Sequence, residues 1–135
     1  ICHCLVGSEM CIRDRIMTTQ EHNPVDNYLG IGGAPEGVLA AAALQCIGGQ
    51  MQTRLVINND DEKNRAEKIG IKDLEKKYNL NELAHGDIIF SATGVTEGTM
   101  VRGVRSDSSH YITHSLVLRT GEAASQYIET YHKKD

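Results

Sequence analysis

Hydrophobic and polar positions divide the chain into blocks of different period. Val25–Ile31 (VDNYLGI) predicts a short strand running into a glycine-rich turn, Gly32 to Gly37. Val38–Ile47 (VLAAAALQCI) predicts a helix, with consecutive alanines and no breaker. That helix is apolar nearly all round, which predicts burial between layers rather than a surface position. Gly48 and Gly49 supply its end, because glycine readily takes the left-handed conformation past a last helical turn. Gln50–Ile57 predicts the next strand, with Met51, Thr53, Leu55 and Ile57 on one face. Strand, helix and strand in succession predict a βαβ unit with a parallel pair.

From Asn58 to Lys77 the character changes. Acidic and basic residues alternate at helical spacing, the mark of a solvated helix face. Two short helices are predicted, Asp60–Lys68 and, after Gly70, Ile71–Tyr78, with a further turn at Asn81–His85. Asp87–Thr93 (DIIFSAT) predicts a strand and Gly94–Gly98 a loop. Met100–Arg105, Tyr111–Arg119 and Ser125–His132 predict three more strands. Their alternation predicts antiparallel pairing with one face open to water. The fold class expected is α/β, with no internal repeat and no linker.

Composition narrows this picture. The 135 residues suit one domain. Apolar residues make up 40% and aromatics 4%, with no Trp and one Phe, so the core must be aliphatic and alanine-rich. The formal net charge of -4 argues against a nucleic-acid partner, which needs a basic stripe. No apolar run approaches the roughly 20 residues of a membrane helix. The first residues also lack the pattern of a secretory signal. No nucleic-acid or membrane partner is expected, and the expected location is cytoplasmic.

Cys2, Cys4 and Cys11 crowd the first residues, while Cys46 stands apart. Cys2-His3-Cys4 with Cys11 has a superficial likeness to zinc ligands, but no second pair follows as structural zinc requires. Ile1–Arg15 (ICHCLVGSEMCIRDR) fits neither helical nor extended periodicity. It resembles translated adapter sequence, so residues 1–15 are expected to be a foreign leader and residues 16–135 the protein itself. Cys46 then suits a reducing compartment.

The chemistry concentrates in Gly30-Ile31-Gly32-Gly33-Ala34-Pro35-Glu36-Gly37. Glycines allow sharp bending and close approach of a ligand. Pro35 suits the first turn of a helix, where its missing N–H costs nothing. Free N–H groups at a helix start attract anions such as phosphate. Glu36 places a carboxylate at the same point and would repel a phosphate unless a divalent cation lay between them. Hard oxygen ligands suit Mg²⁺ or Mn²⁺. Two other readings compete. The helix dipole alone stabilises an acid in the first turn by about 0.3–1 kcal/mol. A dinucleotide fingerprint on a βαβ unit also needs such a turn, but here Pro35 stands where its last glycine belongs, and no Gly-Lys-Ser/Thr follows.

The stretch VDNYLGIGGAPEGVLAAAALQCIGGQMQTRL resembles class II fructose-1,6-bisphosphatase, the bacterial type that is also similar to sedoheptulose-1,7-bisphosphatase. The resemblance continues through Ile71–Leu74, Gly86–Gly98, Thr113–Arg119 and Tyr127–Glu129, about Val25 to Glu129 in all. It implies the C-terminal part of the layered α/β/α/β/α sugar-phosphatase fold shared with inositol monophosphatases. It implies that Glu36 is a divalent-metal ligand, for Mn²⁺ or Mg²⁺, and that Gly33 helps bind the sugar phosphate. The implied reaction is hydrolysis of the 1-phosphate of fructose 1,6-bisphosphate to fructose 6-phosphate in gluconeogenesis, by an enzyme expected to be a homo-oligomer.

The family's other acidic ligands, phosphate-binding basic residues and Asp-Gly-Asp segment have no counterpart here. Before Val25 the acids are Glu9, Asp14 and Glu21. The chain is therefore expected to be part of a longer enzyme and inactive alone. The alternatives are a small nucleotide-binding βαβ module and a non-catalytic subunit-interaction domain. Outside the turn, His110 and His114 are expected to share a strand face. Thr93, Thr96 and Glu97 are expected to form a structural turn, with Arg102 the nearby base. Arg54, opposite the Met51 face, is expected to serve an ion pair or a subunit contact.

Overall fold

The computed structural model describes residues 28–135 except 99 and 123. The expected leader, with Cys2, Cys4 and Cys11, lies outside these residues. Helix α1 (Ala34–Ile47) starts at the N-cap Gly33 and ends at Gly48, which takes φ 74° and closes the helix through its backbone N–H to the Leu44 carbonyl. Gly49 N–H also reaches the Leu44 carbonyl at 2.9 Å. These bonds satisfy a carbonyl that the last helical turn would leave orphaned. After α1 come β1 (Gln52–Arg54), α2 (Asp60–Lys68), β2 (Lys77–Asn79), α3 (Leu80–Leu83), β3 (Ile89–Thr93), β4 (Arg105–Ser106), β5 (His110–Arg119) and β6 (Gln126–Lys133).

The chain is mixed α/β with antiparallel sheets. β5 is the spine of the larger one. It pairs antiparallel with β3 (Phe90 opposite Leu118), with β4 (Arg105 opposite Ile112) and with β6 (Leu116 opposite Tyr127). Residues directly opposite share a face, so Phe90, Leu116 and Leu118 point together. Ala43 of α1 meets them there, with Cys46, Ile47, Ala92, Met100 and Val101 at the margin. Ala40, Ala41 and Ala43 are 0% exposed. The alanine-rich core expected from composition is present, and the one Phe of the chain anchors it.

The βαβ expectation fails. β1 pairs antiparallel with β2, Gln52 opposite Asn79 and Arg54 opposite Lys77, in a separate sheet. Residues 28–31 take no strand conformation, and residues 25–27 of the expected first strand lie outside the described set. Ile71–Tyr78 is not a helix either. The Asp73 carboxylate accepts the Glu75 backbone N–H at 3.0 Å, a local turn that competes with helical bonding. The chain then extends into β2 to pair with β1. Met100–Arg105 stays irregular up to Arg105 because it folds back on the preceding loop, with Val104 N–H bonded to the Val95 carbonyl at 3.1 Å.

The other elements form where the pattern puts them. α2 is capped by Asn59, whose side chain accepts the Glu62 N–H at 2.9 Å, while the Glu62 carboxylate accepts the Asn58 N–H at 2.8 Å. Arg54 makes an exposed ion pair with Glu75 at 3.1 Å. No helix among the described residues is long and apolar enough to cross a membrane.

Within the described residues α1 is covered by the sheet and by α3, and its start is left open. Val38 is 45% and Leu39 50% exposed, and Leu29 and Ile31 before the helix are also exposed. The expected burial between layers is met where α1 packs on the sheet and on α3, and not at the start of the helix. An apolar surface of this kind favours association. Sedimentation velocity of the chain should show concentration-dependent association, reduced by Leu39→Lys; monodisperse monomer at high concentration would contradict it. The core makes a second expectation. Phe90→Ala removes the one large aromatic anchor and should cost about 3 kcal/mol or more of unfolding free energy. Ile89→Ala, on the opposite and open face of β3, should cost about 0.5 kcal/mol or less. Urea denaturation of the two variants reads the contrast directly.

Candidate functional site

The glycine turn leads into α1, which rests on the sheet through Ala43. Gly33 takes φ -66° and ψ 151° at the N-cap, and its carbonyl accepts the Gly37 N–H at 3.0 Å, the first bond of the helix. Glu36 therefore occupies the first helical turn, half-buried. No hydrogen bond or ion pair engages its carboxylate among the described residues. The carboxylate folds back over the Gly33 Cα, into the volume that a Cβ at position 33 would fill. This brings the two residues singled out from the sequence into direct contact.

A half-buried acid without a partner among the described residues is open to a cation. One carboxylate beside a side-chain-free glycine offers a hard oxygen donor of the kind that Mg²⁺ or Mn²⁺ takes. Among the described residues no group of three or more His, Cys, Asp or Glu converges to hold a metal. The residues present fit one ligand of a divalent site, and further ligands would have to come from elsewhere.

The remaining candidates do not join this turn. Thr93 Oγ1 and Ser115 Oγ lie 2.8 Å apart across the β3–β5 pair. The Glu97 carboxylate accepts the Gly103 N–H at 3.1 Å. The loop is thus closed by its own bonds, as a structural turn. His110 and His114 do share a face of β5. Each meets a tyrosine of β6: His110 edge-on to Tyr131, and His114 stacked on Tyr127 with ring centroids 5.5 Å apart. His114 Nδ1 also accepts the Arg102 N–H at 3.1 Å. Cys46 is a free thiol among the described residues, and burial pushes its pKa up.

One polar cluster went unnoticed in the sequence. The Glu129 carboxylate accepts the Tyr131 hydroxyl at 2.7 Å, forms an ion pair with Arg105, and lies 3.9 Å from Arg102. The Tyr131 hydrogen bond, followed by Arg105 and Arg102, holds the Glu129 carboxyl below its ordinary value, and the same hydrogen bond raises Tyr131. Tyr127, Glu129 and Tyr131 alternate on one face of β6, but only the β5 register brings Arg105 alongside. Asp107 is likewise lowered, by the backbone N–H groups of Ser109 and His110, and Glu82 by the Asn79 N–H and then Lys76.

The family model described as bacterial fructose-1,6-bisphosphatase, glpX-encoded, matches residues 9–132. The chain belongs to this family. A bisphosphatase from Synechocystis sp. is 38% identical, covering 79% of this chain and 35% of its own length. Its counterpart in Trichodesmium erythraeum is 36% identical, covering 77% and 34%. One from a Synechococcus strain is 35% identical, covering 79% and 35%. Each of these is named D-fructose 1,6-bisphosphatase class 2/sedoheptulose 1,7-bisphosphatase. The chain spans about a third of the length of these curated relatives.

The depressed carboxylates fix a pH dependence for this fructose-1,6-bisphosphatase family chain. An acid whose folded pKa lies below its unfolded value adds stability above the unfolded value, near pH 4, and loses it as pH falls through the folded value. Glu129, Asp107 and Glu82 all have this sign. Tyr131 has the opposite one: its share is full below about pH 10 and is lost as pH rises through its raised value. Thermal melts should therefore fall on the acid side below about pH 4 and turn down again above about pH 10. Glu129→Gln should flatten both limbs; unchanged slopes would contradict the cluster's role.

Proposed function

We propose that this chain contributes the Gly33–Glu36 turn to the active centre of a divalent-metal-dependent class II fructose-1,6-bisphosphatase, which hydrolyses fructose 1,6-bisphosphate to fructose 6-phosphate in gluconeogenesis. The observation that carries the reading is a carboxylate at the start of α1, over a glycine and without a partner among the described residues, in a chain of this family. In this reading Glu36 is a metal ligand and Gly33 lies against the sugar phosphate. A bound Mn²⁺ or Mg²⁺ supplies neutralisation of the charge that develops on the phosphoryl oxygens. The chain's own part is positional. The free N–H groups at the α1 N-terminus favour an anion, and packing of the Ala43 face on the sheet fixes where that N-terminus lies.

The further acidic and basic groups are proposed to come from outside this chain, which spans about a third of the relatives' length. The 135 residues alone are accordingly proposed to be inactive and to hold metal weakly. The antiparallel sheet with α1 on one face supports the C-terminal part of the layered sugar-phosphatase fold, the open side of α1 awaiting a further layer. A cytoplasmic, homo-oligomeric enzyme is the setting proposed, with a sugar bisphosphate as partner and neither nucleic acid nor membrane. The double name of the relatives favours a second substrate for the same site, sedoheptulose 1,7-bisphosphate.

The test is steady-state hydrolysis of both bisphosphates with Mn²⁺ titrated, wild type against Glu36→Gln, in an enzyme of the relatives' full length that carries this chain. Loss of a direct ligand removes several kcal/mol of transition-state stabilisation, so turnover should fall by about two orders of magnitude or more. Near-normal turnover and unchanged metal dependence would leave Glu36 with the helix-dipole role alone.

A further inference from the structure

The structure assigns Gly33 as a positioning residue for Glu36: the side chain missing at position 33 is the space in which the Glu36 carboxylate rests. This deepens the metal-ligand reading and rests on it. A Cβ built on Gly33 meets Oε2 of Glu36, has Cδ at 3.1 Å and Oε1 at 3.7 Å, and these are its three nearest neighbours. All belong to the far end of one flexible side chain. The backbone at Gly33 is extended, with φ -66° and ψ 151°, a conformation open to any residue. A methyl group there is therefore compatible with the fold, and its cost falls on the carboxylate, which must swing away from the helix mouth. Gly37, one turn along, gives the contrast: a Cβ built on it meets nothing within 4 Å.

The role differs from contact with a phosphate, and the two separate when no phosphate is present. The full 135-residue chain, isotope-labelled, is titrated with Mn²⁺ alone, and paramagnetic broadening of the backbone amides of residues 33–37 is read by NMR. Glu36→Gln should remove that broadening. Gly33→Ala should reduce it to the Glu36→Gln level, with the amide shifts of α1 beyond the first turn preserved. Gly33→Ser adds the same Cβ while restoring a favourable N-cap residue, so it should lose the broadening even if alanine loosens the helix start. Gly37→Ala should broaden as wild type does. Wild-type broadening in both Gly33 variants, with Glu36→Gln silent, would overturn the inference and leave the metal-ligand reading standing. Equal loss in Gly37→Ala would also overturn it, since any methyl in the turn would then suffice. Equal broadening in wild type and Glu36→Gln would overturn the metal-ligand reading itself, and the inference with it.

Discussion

The contact of Ala43 with Phe90, Leu116 and Leu118 is the constraint on which the rest depends. Alanine has no bulk with which to hold a helix away from a sheet, so the α1 backbone comes close and its rotation is fixed by where the small residues fall. Ala40, Ala41 and Ala43 cannot be exchanged for larger residues without lifting the helix, since interiors are packed to the density of crystals. The same contact sets the position of the α1 N-terminus, and through it Gly33 and Glu36. A core of small side chains buries little area per residue, so the single Phe carries a large share of the apolar burial. Fixing the helix this way is a matter of geometry more than of stability.

Periodicity made much of this legible. The span Val38–Ile47 had no breaker, and Gly48 ended it. Alternating charge at helical spacing marked Asp60–Lys68 as α2, and the alternation in Tyr111–Arg119 and in Ser125–His132 read as strands that pair antiparallel. The failures share a cause. Ile71–Tyr78 carries charges at helical spacing, but one Asx turn at Asp73 and a distant partner in β1 overrode that weak preference. The parallel pair was inferred from element order, and order does not reveal that Gln52–Arg54 finds its partner at Lys77–Asn79. Strand partners are set by tertiary pairing, and a single sequence does not display it.

The site divides along the same line. The placement of Glu36 at the start of a helix was legible because Pro35 and the glycines before it mark that start within eight residues. What Gly33 does for it was not, since the contact depends on the Glu36 side chain turning back along its own helix. The Glu129 cluster lay hidden for a different reason. Arg105 and Glu129 are 24 residues apart in sequence, with Arg102 farther still, and they meet because β5 is shared by β4 and β6. Tyr131 two residues on from Glu129 was the one local signal, as two positions apart on a strand share a face.

The two carboxylates thus mark opposite solutions to one electrostatic problem. Glu129 is surrounded by the groups that stabilise its charge, a hydroxyl and two guanidinium groups, and these hold its pKa down. Its interactions are complete within the chain, so its role is explained by cohesion of the sheet face. Glu36 receives none of these among the described residues. It is half-buried at the mouth of a helix that its sheet contact holds in place, and among the described residues its carboxylate rests in the space of the absent side chain at Gly33. A carboxylate that is positioned but not neutralised within the described residues leaves room for a cation, and this is the basis on which Glu36 is proposed as a metal ligand. The distinction follows from the partners that each acid has among the described residues.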